Sequence, residues 1–337
     1  MSRIRFGVWA AMVLILVPLA GAQSYTITDL GLLPGTTSCD ASGVNDRGDV
    51  AGVCFASDNV PSAFLWTASG GMENLGTLAG ADYNYAYGLN NSDLVVGYSV
   101  FDGGVVKAFL WSPKGGMHSL GSLGGNQSFA NSVNESGQVV GYSYLADNTT
   151  MHPFLWTKGT GMQDLGTLGG TLAGGISINN AGEVVGYSTI SNGEEHAFLW
   201  TSAAGMQDLG VIPGGNSSSA EGISASGEIV GTAGAQNGQY SAFVWTQQAG
   251  MEPISVGSSS LAFSVNSAGQ VVGYEDEGRV AFLWTPTLRY QNLNNLIPPN
   301  SGWLLQIARS INQSGQIAVM GTFNDGQTRA ALLTPTN

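Results

Sequence analysis

Charged residues are scarce in this sequence, and basic residues are scarcer still. Only 10% of the 337 residues are charged, and 23 Asp and Glu face 10 Lys and Arg, for a net charge of −13. Binding to the phosphates of nucleic acid needs a dense Lys/Arg surface, so we expect no nucleic-acid partner. The chain also lacks an HExxH motif, a phosphate-binding loop and a nucleophile elbow. None of these common enzyme signatures therefore marks an active site.

Cysteine is nearly absent, since Cys39 and Cys54 are the only two. Both lie at the same distance from the centre of a turn at residues 45–48, so they would face each other across a hairpin. An exported protein meets an oxidising environment, and the spacing then predicts a disulfide. Two free buried thiols are the alternative.

Long apolar runs are confined to the N-terminus, where residues 1–22 have the features of a secretory signal peptide. Arg3 and Arg5 precede an apolar run at residues 8–19, and small residues at 20–22 form a cleavage site. That run is shorter than the roughly 20 apolar residues of a membrane-spanning helix. We expect a mature protein that starts at Gln23, has no membrane anchor, and is secreted to the extracellular space or the periplasm.

Glycine is abundant, with 50 residues, and it belongs to a unit that occurs seven times. Each unit has a turn of the form Asn-x-x-Gly, or a near relative, followed by a Phe-Leu-Trp segment or a degenerate copy of it. The turns begin at 42- to 46-residue steps, at Asn45, Asn90, Asn134, Asn179, Ser224, Asn266 and Asn312. Regular spacing of this kind identifies a repeat architecture.

Each unit contains four short segments typical of β-strands. The second and third are apolar on successive residues, which indicates burial on both faces and therefore sheets that stack. Stacked four-stranded units of about 45 residues predict a β-propeller. Residues 27–31 match the fourth strand at residues 162–166, whereas the last unit ends after its third strand.

We therefore predict an all-β fold, a seven-bladed β-propeller in a single domain at residues 23–337. In this interpretation the N-terminal strand at 25–31 completes the blade formed by 304–335 and closes the ring. An open β-solenoid is the alternative, but its two ends do not meet, so it does not need an N-terminal strand that completes the last unit.

The repeat resembles the HAF family of bacterial extracellular repeat proteins. The match is fullest at residues 162–200, where His196, Ala197 and Phe198 form the motif that names the family. The resemblance implies an exported, propeller-like protein with no established activity. Some relatives carry a C-terminal sorting tail, and its absence here favours release. The motif histidine is kept only at His152 and His196, and its place is taken elsewhere by Ser62, Lys107, Ser241, Val280 and Ala330. This argues against a ring of histidine ligands.

Positions that break the repeat are the candidate binding residues. The third residue before each turn is free to vary: Ser42, Tyr87, Asn131, Ile176, Glu221, Phe263 and Arg309. Glu221 and Arg309 are the only charges in that set, and we expect them to line a central channel or an interface between blades. Tyr83, Tyr85 and Tyr87 form an aromatic run that also departs from the repeat. No catalytic or metal-binding residue is predicted.

The loops between second and third strands vary most and are acidic. Their acids are Asp58, Asp102, Asp147, Glu194, Glu195, Asp276, Glu277 and Asp325. In a propeller these loops share one face with the fourth-to-first loops, and we predict that this is the ligand face. A ring of acids would suit Ca²⁺ or a basic partner, whereas Asp-Gly is also ordinary hairpin sequence. Both interpretations stay open, and no other cofactor is expected.

These features favour a secreted, monomeric, non-enzymatic scaffold that binds an extracellular protein or polysaccharide. A hydrolase or lyase acting on extracellular polysaccharide is the alternative, based on fold analogy alone. Two or more carboxylates, or a His–carboxylate pair, converging in the central channel would favour the enzyme.

Overall fold

The computed structural model describes residues 23–235, 238–254, 259–276 and 279–336. The predicted signal peptide at residues 1–22 and the loop acid Glu277 lie outside this part. Within it the secondary structure is almost entirely β-strand, so the all-β prediction is confirmed. In these ranges, no helix has the length and apolar character needed to cross a bilayer.

The strands are short and mostly connected by tight turns. The first half of the chain contains β1 (Ser24–Asp29), β2 (Thr36–Val44), β3 (Val50–Ala56), β4 (Pro61–Thr67), β5 (Gly71–Asn74), β6 (Tyr83–Leu89), β7 (Val95–Phe101), β8 (Val105–Ser112), β9 (Gly116–Gly121), β10 (Gly124–Val133), β11 (Val139–Leu145), β12 (Met151–Thr157), β13 (Gly161–Asp164) and β14 (Gly169–Ile178). The second half contains β15 (Val184–Ile190), β16 (Glu195–Thr201), β17 (Gly205–Asp208), β18 (Gly215–Ile223), β19 (Ile229–Ala235), β20 (Tyr240–Thr246), β21 (Gly250–Pro253), β22 (Ser260–Val265), β23 (Val271–Glu275), β24 (Val280–Thr285), β25 (Arg289–Asn292), β26 (Trp303–Ile311), β27 (Ile317–Phe323) and β28 (Thr328–Thr336). Two 3-10 turns lie at Asp102–Gly104 and Leu293–Asn295.

The strands associate in antiparallel units of four that follow the sequence repeat. Separate sheets have the orders β2-β3-β4-β5, β18-β19-β20-β21 and β22-β23-β24-β25. Strands β6 to β17 repeat the same order three times and are joined by single parallel pairs, Gln127 with Val106 and Met151 with Leu172. The last sheet combines both ends of the chain in the order β1-β28-β27-β26.

Strand β1 occupies the place that the fourth strand has in the other units. Ile27 lies opposite Leu333 on β28, as Met162 lies opposite Trp156 in the third unit. Tyr25 is only 1% exposed and belongs to the same apolar cluster as Leu333. The first and last segments of the described chain are thus held together by backbone pairing and by apolar burial.

The core consists of apolar clusters between consecutive units. The phenylalanine of each Phe-Leu-Trp segment, and Phe243 in the variant copy, has no exposed surface. Leu65 of the first unit packs in one cluster with Val95 and Phe109 of the second. An equivalent cluster joins Leu332 of the last unit to Phe64 of the first. The apolar runs of the second and third strands are explained by this burial on both faces.

The turn asparagines link neighbouring units as well as shaping their own turns. In Asn134, Oδ1 accepts backbone N–H bonds from Ser136 and Gln138, at 3.1 and 3.0 Å. Its Nδ2 donates to the carbonyl of Asn179 in the next unit, at 3.1 Å. Asn45, Asn90, Asn179, Asn266 and Asn312 bond to the following unit in the same way, and Asn312 donates to the carbonyl of Asn45 at 2.8 Å.

The fifth unit interrupts this series because its turn begins with Ser224. The Ser224 hydroxyl accepts the N–H of Glu228 at 3.1 Å, which preserves the turn. A serine side chain is too short to reach the carbonyl of Asn266 as an asparagine amide does. Ser224→Asn is therefore expected to add one inter-unit hydrogen bond and to stabilise the protein by about 1 kcal/mol. Urea unfolding measures the gain, and Ser226→Asn in the same turn is the control; equal midpoints for the two variants would contradict this explanation.

The predicted disulfide between Cys39 and Cys54 is present. The two residues are direct partners across the β2–β3 pair, and both are buried. A disulfide is compatible with an extracellular or periplasmic location.

Candidate functional site

The residues that vary before the turns converge on one central cavity. This central cavity has a volume of about 360 Å³. Its wall includes the third residue before every turn: Ser42, Tyr87, Asn131, Ile176, Glu221, Phe263 and Arg309. The bulge in each first strand is the local cause, because the strand register shifts next to this residue, as at Ala86 and Gly88. One sequence position thus supplies seven different side chains to one space.

Aromatic rings from the second and third units form a cluster that reaches the central cavity at Tyr87. Tyr85 is paired with Tyr98, and Phe129 with Tyr142, across the first two strands of their units. Ring centroids lie 5.0 Å apart in the first pair, 4.6 Å in the second and 4.9 Å between Tyr98 and Phe129. Tyr87 stacks on Tyr98 at 5.7 Å and remains 40% exposed. The outcome is a continuous aromatic surface with one open ring at its edge.

Two charged residues, Glu221 and Arg309, also line the central cavity. Arg309 places Nη2 3.3 Å from Oδ2 of Asp40, and its guanidinium lies over the Phe263 ring at 5.1 Å. Glu221 is half-buried, and Oε1 accepts a 2.8 Å hydrogen bond from the Ser219 hydroxyl. Burial raises the pKa of Glu221, and the positive charge of Arg309 opposes that rise.

A second carboxylate lies within electrostatic range of Glu221. Burial and the negative charge of Glu221 together raise the pKa of Glu195. Burial, with both glutamates contributing, raises the pKa of Tyr187 to about 12. The charges of these groups therefore influence one another, but of the three only Glu221 lines the central cavity.

Neutralising Glu221 is expected to stabilise the fold at neutral pH. A carboxyl whose pKa is raised by folding binds its proton more tightly in the native state, so its ionised form weakens the fold above that pKa. Glu221→Gln should therefore increase the melting temperature at pH 7, and the increase should vanish as the pH falls below 4, where the wild-type carboxyl is protonated in both states. Thermal melts across this range measure the effect, with the exposed Glu252→Gln as control; an increase that is independent of pH would contradict the assignment.

The predicted binding residues lie in two connected places. Tyr87, Glu221 and Arg309 line the central cavity. Tyr85 and Tyr87 line a neighbouring cavity of about 330 Å³, which we call the side cleft. Tyr83 lines neither of these two cavities and packs edge-on against Tyr85, at 6.2 Å.

Sequence analysis missed Asp40, Tyr98 and Tyr142, and it identified Glu195 only as a loop acid. The tyrosines belong to the repeated Gly-Tyr-Ser segment, so they do not break the pattern. Asp40 is the one charged residue at the fifth position before the turn, where the other units have Tyr85, Phe129, Gly174, Ser219, Leu261 and Ile307. Aligning the units at that position would have identified it.

The two motif histidines form pairs away from the central cavity. Nδ1 of His152 lies 2.8 Å from the carboxylate of Asp164, and His196 lies 2.9 Å from that of Asp208. Both pairs connect the third strand of a unit to its fourth strand, so they hold the edge strand in place.

In the last unit, the residue equivalent to these histidines is Arg329. The sequence-based prediction that Ala330 takes this position was wrong. Arg329 lies opposite Gly321, as His196 lies opposite Ser188, because the degenerate copy hides the register. Nη1 of Arg329 forms a 2.7 Å ion pair with Asp29 of β1, so β1 again behaves as a fourth strand.

The loop acids form turn hydrogen bonds. The Thr150 hydroxyl donates to Oδ2 of Asp147 at 2.6 Å, and Oδ1 accepts the N–H groups of Thr149 and Thr150 at 3.0 and 2.9 Å. These bonds lower the pKa of Asp147. Asp58 and Asp325 accept a backbone N–H two residues on in the same way. In the part of the chain that the structure describes, no three acids, histidines or cysteines gather as metal ligands.

Because the carboxylates of Asp58, Asp147 and Asp325 already accept backbone N–H groups, Ca²⁺ is expected to leave the melting temperature unchanged. Calcium sites need six to eight oxygen ligands that converge on one ion. Thermal melts at 5 mM CaCl₂ and at 5 mM EDTA compare the two conditions, and an increase of several degrees with Ca²⁺ would contradict the turn interpretation.

Comparison with known proteins identifies the fold. Neither a family model nor a curated protein sequence matches this chain. Among solved structures, TolB from Acinetobacter baumannii is similar with a TM-score of 0.52 and 13% identity, over 86% of this chain and 64% of its own. Virginiamycin B lyase from Staphylococcus aureus has a TM-score of 0.53 and 11% identity, over 92% of this chain and 99% of its own. The BP39L lectin from Burkholderia pseudomallei has a TM-score of 0.53 and 8% identity, over 93% and 96%.

This chain therefore spans less than two thirds of the TolB chain. A lyase and a lectin are both among the similar structures, so the likeness extends to the fold and not to an activity. The chain has a β-propeller-like, all-β fold.

Proposed function

We propose that the four-stranded units are seven blades of a closed propeller, with β1 as the outer strand of the last blade. Three contacts support closure: the β1–β28 pairing, the Asn312–Asn45 hydrogen bond, and the apolar cluster that contains both Leu332 and Phe64. We also propose that residues 1–22 direct export and that the units are HAF repeats.

The proposed function is that of a secreted, non-enzymatic scaffold that binds its ligand in the central cavity. The observation that carries it is the contrast between two sets of equivalent positions in the seven units: the first residue of each turn and the residue three positions before it. The turn residue is asparagine in six of seven units, whereas the residue three positions earlier differs in every unit and lines the cavity. Folding explains why the turn residue is nearly uniform, because it forms the turn and the bond to the next unit. Folding does not explain the variation three positions earlier. Aromatic surfaces together with a few charged groups are typical of ligand-binding pockets.

A variant that fills the cavity tests this proposal without knowledge of the ligand. The mature protein is applied to a printed glycan array and to an array of random dodecapeptides. Ile176→Trp adds a large ring to the cavity wall and is expected to reduce any signal at least tenfold. Val60→Trp places the same ring on an exposed hairpin and should leave the signal intact. Ligand binding that survives Ile176→Trp, in a protein of wild-type melting temperature, would overturn the proposal.

The enzymatic alternative, a polysaccharide hydrolase or lyase, is supported by Glu221 in the central cavity, whose negative charge raises the pKa of Glu195. Two carboxylates with raised pKa values are suited to general acid–base catalysis. Incubation of the mature protein with polysaccharides, followed by reducing-end and unsaturated-product assays, distinguishes the two functions. The scaffold releases nothing, whereas the enzyme releases products that Glu221→Gln abolishes.

A further inference from the structure

Asp40 is a carboxylate at a position where the second and third units have the aromatic residues Tyr85 and Phe129, and the seventh unit has Ile307. It lies opposite Val53, as Tyr85 lies opposite Tyr98 in the second unit. Its Oδ1 is buried and accepts no hydrogen bond from any residue that the structure describes. An unsatisfied carboxylate oxygen costs stability, and such costs concentrate at functional sites.

The surroundings of Asp40 form the side cleft, which opens into the central cavity. Ser42, Tyr87 and Arg309 line both spaces. Phe55 and Tyr85 form an aromatic wall, with their ring centroids 6.3 Å apart and edge-on. Asp40 and Arg309 supply the charged groups, and the Asp40 side chain keeps 22% of its surface exposed.

Two kinds of surface therefore meet within about 330 Å³. The rings of Tyr85 and Tyr87 offer apolar faces, and one face of Tyr87 is occupied by Tyr98. The Asp40–Arg309 pair offers an acceptor beside a donor, separated by 3.3 Å. The pair is close to neutral as a whole, so it favours neither a cation nor an anion.

A neutral pyranose ring matches both surfaces. Its C–H face is apolar and packs on an aromatic ring, and its vicinal hydroxyls donate to a carboxylate and accept from a guanidinium. An entirely apolar ligand would leave the Asp40–Arg309 pair without solvent, at a cost. An ammonium group would compete with Arg309, and a carboxylate would be repelled by Asp40.

We propose that the side cleft is a subsite for one neutral pyranose unit of an oligosaccharide whose remainder lies in the central cavity. This assignment rests on the proposed function of the central cavity and specifies the class of its ligand. Tyr87 provides the stacking surface, Oδ2 of Asp40 accepts from one ring hydroxyl, and Arg309 donates to the next.

Calorimetric titration of the mature protein tests the subsite. The probes are the neutral hexasaccharides of cellulose, maltose, laminarin, xylan and mannan series, with a chitosan hexamer as cation and hexagalacturonate as anion. At least one neutral probe is expected to bind. Asp40→Asn and Tyr87→Ala should each weaken that binding at least tenfold. Tyr240→Ala and Asp58→Asn, at exposed positions outside both cavities, should retain the affinity.

The outcomes separate this assignment from the proposed function. Binding of only the chitosan hexamer, the hexagalacturonate or a peptide, when Ile176→Trp abolishes it, overturns the neutral saccharide and leaves the cavity function in place. Neutral binding that Ile176→Trp removes, but that Asp40→Asn and Tyr87→Ala leave unchanged, overturns the side cleft alone. Neutral binding that survives Ile176→Trp overturns the cavity function itself. The absence of binding by every neutral probe overturns the subsite.

Discussion

Deletion of strand β1 is expected to abolish cooperative folding. The deletion removes six paired residues from the edge of β28 and takes Tyr25 and Leu30 out of two apolar clusters. Loss of one buried aromatic side chain costs about 3–5 kcal/mol, and a typical domain has only about 5–15 kcal/mol of stability. The measurement is urea unfolding, followed by circular dichroism, of a secreted protein of residues 32–337 against residues 23–337.

A permuted protein is the matched control for this deletion. The segment at residues 23–31 is moved to follow β28 through an Asn-Gly turn, which favours a two-residue hairpin. This order restores the third-to-fourth strand connection that the other units have, and it should recover the wild-type unfolding midpoint to within a few tenths of a molar. A deletion variant that unfolds cooperatively at the wild-type midpoint would show that β1 does not close the ring.

Replacement of Asn312 by alanine is expected to have the second largest effect. The side chain is 3% exposed, accepts the N–H groups of Ser314 and Gln316, and donates to the carbonyl of Asn45. Alanine removes these three hydrogen bonds at once, and each is worth about 1 kcal/mol, so the loss should be about 3 kcal/mol.

Two other alanine variants serve as comparisons for Asn312→Ala. Asn134→Ala removes the same kind of bond between interior units and should cost a similar amount in urea unfolding. Asn126→Ala, at an exposed position, should change stability by less than about 0.5 kcal/mol. An Asn312→Ala protein as stable as Asn126→Ala would contradict the inter-unit role of the turn asparagines.

The repeat made most of the local structure predictable. Spacing and the Asn-x-x-Gly turns predicted four-stranded units, and the position of Cys39 and Cys54 about one turn predicted their disulfide. The inter-unit bond of each asparagine was not predictable, because it depends on how two units are placed in space. The last unit lacked its motif, so the register of Arg329 had to come from the strand pairing.

The candidate site was predictable only in part, for a physical reason. Variation before the turns singled out Tyr87, Glu221 and Arg309, which share one cavity in the structure. Asp40 and Glu195 approach these residues from other units or strands, and such neighbours depend on the curvature of the whole assembly. Tyr98 and Tyr142 were hidden because the same tyrosine occurs in the second strand of most units and reads as part of the repeat.

The most direct test of the central claim is a crystal structure of the mature protein with the strongest-binding array ligand. The expected result is a closed ring of seven four-stranded blades, with the ligand in the central cavity against Tyr87 and Glu221. A ligand bound on the outer strands or on the face of the turn asparagines, with the central cavity empty, would contradict the account.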